Sequence, residues 1–326
     1  MNQVTKKQHY IWRKYLAPWT NDNSNTGKIA CLRDNKIFVS SLMNVAHENY
    51  FYKVKRLSKQ EKELIYLMTI SDVTGTQKSV NEGWLNLYCA PFDLADEIDR
   101  FNTLTDTCGK VEESQKFKDL IIEHIENIHC SIEMSVMEYL EQLKRGDINF
   151  WKDEESRDKF SFYLCNQYFR TKRSRDAIIW SFEQCRNGHE HFKSICPNNM
   201  WLPLSLIYAS NVGAHIAQDF SAVLLQAEDD SFIVGDQPVA NTFSTFNGSI
   251  PPNDIELFYP ITPKLALLLT KKSGYVSGQA KGIDVEEVKK YNLIEFKSSR
   301  EQVFAKDATQ LKDFSNVVTN KIFDPV

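Results

Sequence analysis

The chain has 326 residues, a formal net charge of −4 and a pI near 6.0, so it has no global attraction to nucleic acid. Apolar residues make up 42% and aromatic residues 12%, enough for a substantial core. Seven dispersed cysteines without a CxxC pair speak against structural zinc and for reduced, mostly buried thiols in a cytoplasmic protein, and no run approaches the apolar length of a membrane span.

KKQHYIWRKYLAPW, residues 6–19, lacks the apolar core and small-residue cleavage pattern of a secretory signal. Tyr10, Trp12, Tyr15, Leu16 and Trp19 give it the composition of a segment that folds into the body of the protein. His9 within it reads equally well as a buried structural histidine and as a general base or metal ligand. TNDNSNTG is a polar turn. KIACLR and KIFVSS are short strands flanking Asp34 and Asn35, the pattern of a hairpin. MNVAHENYFYKV mixes polar and aromatic residues and suits a surface segment. Ser58 with Glu61 three positions later predicts a capping box and a helix start.

Residues 112–143 carry the clearest helical period, with Phe117, Ile121, Ile125, Ile128, Ile132, Val136, Tyr139 and Leu143 at spacings of three or four. Gly146 and Asp147 close it. Further helices are predicted over about 152–169 and 175–186, with NGHEHF as a turn. PNNMWLPLSLIYAS and AHIAQDFSAVLLQ are helix or buried extended chain, between which periodicity does not choose. SFIVGDQPVANTF reads as strand, turn and irregular segment, and DIELFYPITPKLALLLT as two strands. GYVSGQAKG reads as loop, VEEVKKYNLIEF as helix and QVFA as a last strand. Trp84, Tyr88 and Trp201 suit the core better than a self-association surface. The chain is therefore expected to be a single α+β domain over 1–326. Its sub-regions are a β-containing start (1–55), a helical middle (56–230) and an α+β end (231–326). The terminal strands are expected to form one mixed sheet against the helices, residues 29–40 pairing near 231–270.

Several of these pieces resemble a bacterial family catalogued as DUF4238, which has no assigned function. They are Gln8-His9-Tyr10, Glu48-Asn49-Tyr50-Phe51-Tyr52, Ile132-Glu133 with Leu140 and Leu143, Gln167 to Thr171, and Phe232 to Val239. Pro260 to Pro263, Tyr291-Asn292 and Val303-Phe304-Ala305 follow in order. Lys172 stands where a proline is common, and Gly235 and Gln237 replace the usual serine and asparagine around Asp236. The resemblance implies no reaction, only an association of some relatives with bacterial conflict or phage defence. It singles out His9, Glu133, Gln167, Arg170 and Asp236 as the polar heads of its motifs.

Those five types suit phosphodiester chemistry. Asp236 and Glu133 would hold Mg²⁺ or Mn²⁺, and His9 would activate water or protonate the leaving group. Arg170 would meet the phosphorane charge, with Gln167 orienting it. Each has a plainer role. Asp236 suits an Asx-turn, and Glu133 with Arg170 a core-closing ion pair. The run RTKRSR holds Arg170, Lys172, Arg173 and Arg175, which would either steer RNA or another nucleic acid or cap a solvated helix end. Glu126-x-x-His129 matches half of a di-iron carboxylate motif, but no second half exists, and both residues read as facing solvent or a neighbour. The leading expectation is a metal-dependent nuclease, with RNA favoured, in anti-phage defence or a toxin setting. A non-enzymatic module sensing a nucleotide or phage protein is the alternative, and a small-molecule hydrolase a third.

Overall fold

A computed structural model describes residues 4–105, 110–186, 193–229, 231–246 and 250–315. Cys108 and the NGHEHF turn lie outside them. The N-terminal segment does fold inward. Strand β1 (Lys7–His9) runs antiparallel to β4 (His47–Asn49), pairing His9 with His47. A short helix α1 (Arg13–Leu16) follows β1, and Tyr10, Tyr15 and Trp19 are fully or nearly fully buried. The Tyr15 hydroxyl donates to the Pro260 carbonyl (2.7 Å), its ring stacks on Tyr259, and Trp19 Nε1 donates to the Phe232 carbonyl (2.8 Å). These bonds fasten the start of the chain to its last hundred residues.

The hairpin is present as β2 (Lys28–Arg33) and β3 (Lys36–Ser41), joined at Asp34 and Asn35. Both turn residues have positive φ (51° and 59°), the backbone a two-residue turn needs to match strand twist. The segment after β3 is not a surface run, because Val45, Ala46, Phe51, Tyr52 and Val54 are buried.

Helix α2 (Lys59–Thr69) starts at the predicted capping box, Ser58 Oγ accepting from the Glu61 amide and the Glu61 carboxylate accepting from the Ser58 amide. Helix α3 (Gly75–Leu104) is the longest element among the described residues and carries Pro91 within it; it is absent from the elements expected from sequence. The long predicted helix is two, α4 (Gln115–Ser135) and α5 (Met137–Lys144), broken at Val136. Helices α6 (Glu154–Phe169) and α7 (Lys172–Arg186) follow, and PNNMWLPLSLIYAS runs on without a break into α8 (Pro197–Asp219). Tyr88 and Trp201 are core residues, and Trp84 stacks on Phe162.

Strand β5 (Ser221–Ala227) opens the last region, with β6 (Val234–Gly235), β7 (Ala240–Asn241), β8 (Leu257–Thr262), β9 (Leu265–Thr270) and β10 (Gln279–Ile283). Helix α9 (Val285–Ser298) and β11 (Val303–Ala305) complete it. The architecture is α+β, with sheets drawn from several stretches of chain. Among the described residues there are three sheets rather than one. β1 pairs with β4, a five-stranded sheet runs β10-β5-β9-β8-β7, and a four-stranded sheet runs β3-β2-β11-β6. Residues 29–40 do not pair with 231–270. β11 stands between β2 and β6, antiparallel to both, so the two ends meet through a third segment. Among the described residues, only the β10–β5 pair is parallel. One apolar cluster extends from Tyr10 to Phe304. Of the six described cysteines, only Cys31, Cys89 and Cys165 are buried, so the expectation of mostly buried thiols holds for half. No helix among the described residues is long and apolar enough to cross a membrane.

Helices α6 and α8 cross closely because Gly213 has no side chain. A β-carbon there would lie 3.0 Å from Phe162 Cα and 3.1 Å from its nitrogen, against backbone that cannot swing aside. Gly83, in exposed α3, would meet nothing within 4 Å. Gly213→Ala is expected to destabilise by about 1–3 kcal/mol through overpacking, whereas Gly83→Ala should stabilise by about 0.5–1 kcal/mol through helix propensity. Urea unfolding of the two variants checks the pair of opposite signs.

Candidate functional site

The polar residues of the first motif divide by strand alternation. Gln8 is fully buried, its Nε2 donating to the Ile122 carbonyl (2.7 Å) and its Oε1 accepting from the Tyr52 amide (2.7 Å). Tyr10 is buried in the core. His9, on the opposite face, borders a cavity of about 200 Å³ together with Arg13, Glu126, His129, Glu133 and Arg170. Gln8 thus clamps β1 to α4, and the clamp aims His9 at the polar stripe of that helix.

Three members of this set come from α4 at i, i+3 and i+7, the spacing that places side chains on one helix face. Glu126 and His129, for which the sequence suggested solvent or a neighbour, face the cavity instead. His129 Nδ1 is 3.1 Å from Asn166 Nδ2; the amide nitrogen can only donate, so the ring proton sits on Nε2. Burial and the Arg170 charge push its pKa well below the usual imidazole value and hold it neutral. His9 makes a backbone hydrogen bond with Leu42, leaving Nε2 as its buried, unpartnered nitrogen. Desolvation, with Arg13 and His47 adding to it, lowers its pKa to about 4. Desolvation raises the Glu126 carboxyl to about 7; the Arg170 charge opposes that rise and Glu133 adds to it.

Glu133 and Arg170 form the expected ion pair, and both are buried. Arg170 Nη2 also donates to Gln167 Oε1 (3.1 Å), and the Arg170 carbonyl accepts from the Tyr52 hydroxyl (3.3 Å). Gln167 is fully buried and holds the guanidinium without lining the cavity. Desolvation raises the Glu133 pKa while the bond to Arg170 opposes that rise. Four buried atoms around this cavity have no hydrogen-bond partner: His9 Nε2, Glu126 Oε2, His129 Nε2 and Arg170 Nε.

Asp236 is elsewhere. Its carboxylate accepts from the backbone amides of Arg300 (2.6 Å), Glu301 (2.8 Å) and Gln302 (3.1 Å) and so shapes the loop between α9 and β11. Burial raises its pKa to about 6, against the pull of those amides. These amides lie 64–66 residues along the chain, so the carboxylate pins a distant loop rather than closing the local Asx-turn weighed for it. With Asp236 engaged there and Glu133 engaged by Arg170, the donor set expected for Mg²⁺ or Mn²⁺ is not assembled. No group of three or more His, Cys, Asp or Glu side chains among the described residues is arranged to hold a metal ion. Gln237, where an asparagine is usual, still supplies an amide: Oε1 accepts from Thr171 Oγ1, and Nε2 donates to the carbonyls of Tyr168 (3.0 Å) and Val239 (3.1 Å).

The basic run is turned inward. Lys172 bridges Glu48 (3.1 Å) and Glu301 (3.0 Å). Arg173 donates to the Lys297 and Ser298 carbonyls at the end of α9 (3.0 Å each). Arg175 pairs with Glu48 (3.2 Å) and Asp176 (3.1 Å). Lys172, Arg173 and Arg175 occupy the first turn of α7, where the helix dipole disfavours cations, and carboxylates and carbonyls offset it. They are not displayed as a nucleic-acid surface.

Comparison with known families places the chain in the one described as "Protein of unknown function (DUF4238)", which it matches over residues 7–309; it belongs to that family. No curated protein and no solved structure matched it.

Removing Glu133 leaves a buried guanidinium without its counter-charge, so Glu133→Ala should cost about 3–5 kcal/mol, and Arg170→Met added to Glu133→Leu should restore part of that stability in denaturant titrations. Glu126 has the opposite leaning. Its folded pKa lies above the unfolded value, so the folded state binds the extra proton and loses stability as pH rises from about 4.5 to about 7. Glu126→Gln should therefore gain on the wild type across that window, reaching ~2–3 kcal/mol at neutral pH, as paired unfolding curves at pH 4.5 and 7.5 would register.

Proposed function

We propose that the protein is a phosphodiesterase acting on RNA by general acid–base catalysis, with its reaction centre in the cavity bordered by His9, Glu126, His129 and Arg170. The observation that carries this reading is that four residues bordering one cavity each carry a buried polar atom without a hydrogen-bond partner, beside two cations in the same lining. Arg13 and Lys14 border it, and among the described residues neither has a carboxylate within ion-pair reach; their side chains lie against the sulfurs of Met43 and Met137. An anion is the ligand such a lining attracts.

RNA carries its own nucleophile, the 2′-hydroxyl, so cleavage needs only a base, an acid and stabilisation of the phosphorane. His9, neutral above about pH 4, accepts the 2′-hydroxyl proton on Nε2. The 2′-oxygen bonds to phosphorus while the bond to the 5′-oxygen breaks. Glu126, protonated below about pH 7, donates to that 5′-oxygen. The products are a 2′,3′-cyclic phosphate and a 5′-hydroxyl. Arg13, Lys14 and the unpartnered Nε of Arg170 supply positive charge to the phosphorane, and the His129 Nε2 proton offers a neutral donor.

The two titrations predict a bell-shaped rate profile with limbs near 4 and 7 and an optimum between them. Purified protein offered total RNA, tRNA and single-stranded DNA should cut only RNA, retain activity in EDTA and leave cyclic phosphate ends. His9→Asn and Glu126→Gln should each lose about 10²–10⁴-fold with intact folding. Cutting that EDTA abolishes, or equal cutting of DNA, would rule out this mechanism; no cutting of any RNA between pH 4.5 and 7.5 would rule out the function.

A further inference from the structure

A second and larger concavity, of about 860 Å³, adjoins the first, and Lys14 and Asn25 line both. Its volume is in the upper range of ordinary ligand sites. It lies between α5 and the segment after α1, with Thr262, Pro263 and Lys306 from the C-terminal region completing the wall.

The cations in its lining outnumber its acids. Lys14, Lys144, Arg145 and Lys306 face Glu138 and Glu141. Lys144 is paired with Glu141 (2.8 Å). Among the described residues, Lys14, Arg145 and Lys306 have no carboxylate within ion-pair reach, and Lys306 donates only to Asn23 Oδ1 (3.2 Å). On a chain of net charge −4, whose RTKRSR cations are neutralised internally, this is a localised cationic lining. Its remaining polar side chains are Asn23, Asn25 and Thr262, and among the described residues no aromatic ring lines it. A stacked base therefore has no platform here, whereas a phosphate-bearing backbone finds cations and amide donors.

We infer that this concavity is the substrate groove of the same site, holding the sugar-phosphate backbone of a single-stranded oligonucleotide that continues beyond the phosphodiester in the smaller cavity. The inference rests on the proposed phosphodiesterase reading for the identity of the reacting bond. It adds that the substrate is a chain rather than a mononucleotide, and that it is gripped by charge without base readout. Lys14, lining both concavities, is the contact shared by the reacting phosphate and the strand next to it.

The probe is a fluorescent single-stranded RNA of about ten nucleotides with every 2′-hydroxyl methylated, which removes the nucleophile and leaves the backbone charges. Anisotropy titrations should show binding by wild type that weakens with salt and is insensitive to base sequence. Arg145→Glu with Lys306→Glu should weaken binding at least tenfold and flatten the salt dependence, with an unchanged melting temperature, since both side chains are exposed. Lys159→Glu, an exposed charge reversal on α6 that borders neither concavity, should bind the probe as wild type does. Unaltered binding by the double charge reversal, or no binding by wild type, overturns the groove even if RNA is cleaved. Salt-sensitive binding lost on charge reversal, without any RNA cleavage, upholds the groove and rejects the reaction.

Discussion

The buried pair of Glu133 and Arg170 organises most of what surrounds it. A guanidinium that is 1% exposed is tolerable only when its charge is met. Glu133 meets the charge, Gln167 takes a second contact on the same Nη2, and Tyr52 fixes the backbone at the end of α6. The pair ties α4 to the α6–α7 junction. Because Glu133 shares a helix face with Glu126 and His129, fixing one member sets the rotation of the whole polar stripe. The same positive charge acts at a distance. It restrains the rise of the Glu126 pKa, leaving that group near neutrality, and helps keep His129 uncharged. Desolvation dominates the protonation states around the cavity, and the charge of the ion pair adjusts those of Glu126 and His129.

A second constraint is the joining of distant segments by the cations that follow Arg170. Lys172 lies between Glu48, in β4, and Glu301, just before β11. Asp236 gathers three amides of that same loop, and Gln302 returns to the Ala46 amide (3.2 Å). Gly235 allows this closeness, because a β-carbon there would strike Ser299. The first fifty residues, the α6–α7 junction and the last strand are thus riveted at one place. These polar contacts explain why Asp236 and the cations Lys172, Arg173 and Arg175 stand out in the sequence without bordering either concavity.

Local patterns were readable where local physics decides. The Asp34-Asn35 turn, the Ser58–Glu61 capping box, the α4 stripe and the strands around Pro260 depend on neighbours in sequence. Residues 45–54 were misjudged because their polar members obscured Val45, Phe51 and Tyr52, whose burial depends on α4 and α8. The split of the long helix at Val136 leaves no composition signal, since the apolar spacing continues across it. Among the polar heads, Glu133 with Arg170 was legible as a pair because two flanking helices had matching faces. Asp236 was not separable from them, since an acid before proline looks alike at a turn and in a cleft. Glu126 and His129 were seen at helical spacing and discounted for want of a second metal motif. The signal that would have raised them is the position of His129 one turn from Glu133, on the side of α4 that must also be buried.

The cavity's polarity is harder to account for by stability than the ion pair is. Each buried donor or acceptor left without a partner costs about 1–3 kcal/mol unless water or a ligand meets it. Four such atoms around about 200 Å³ leave room for several waters, yet a leucine or methionine at Glu126 and at His129 would fill the same space without that penalty. Asp236, by contrast, has both oxygens occupied by amides, as a carboxylate retained for folding should. The two acids are both buried and both raised in pKa, but one is saturated by the chain and the other is held open. An open acid, an open imidazole and cations without carboxylate partners bordering one cavity are the groups on which the proposed reaction depends.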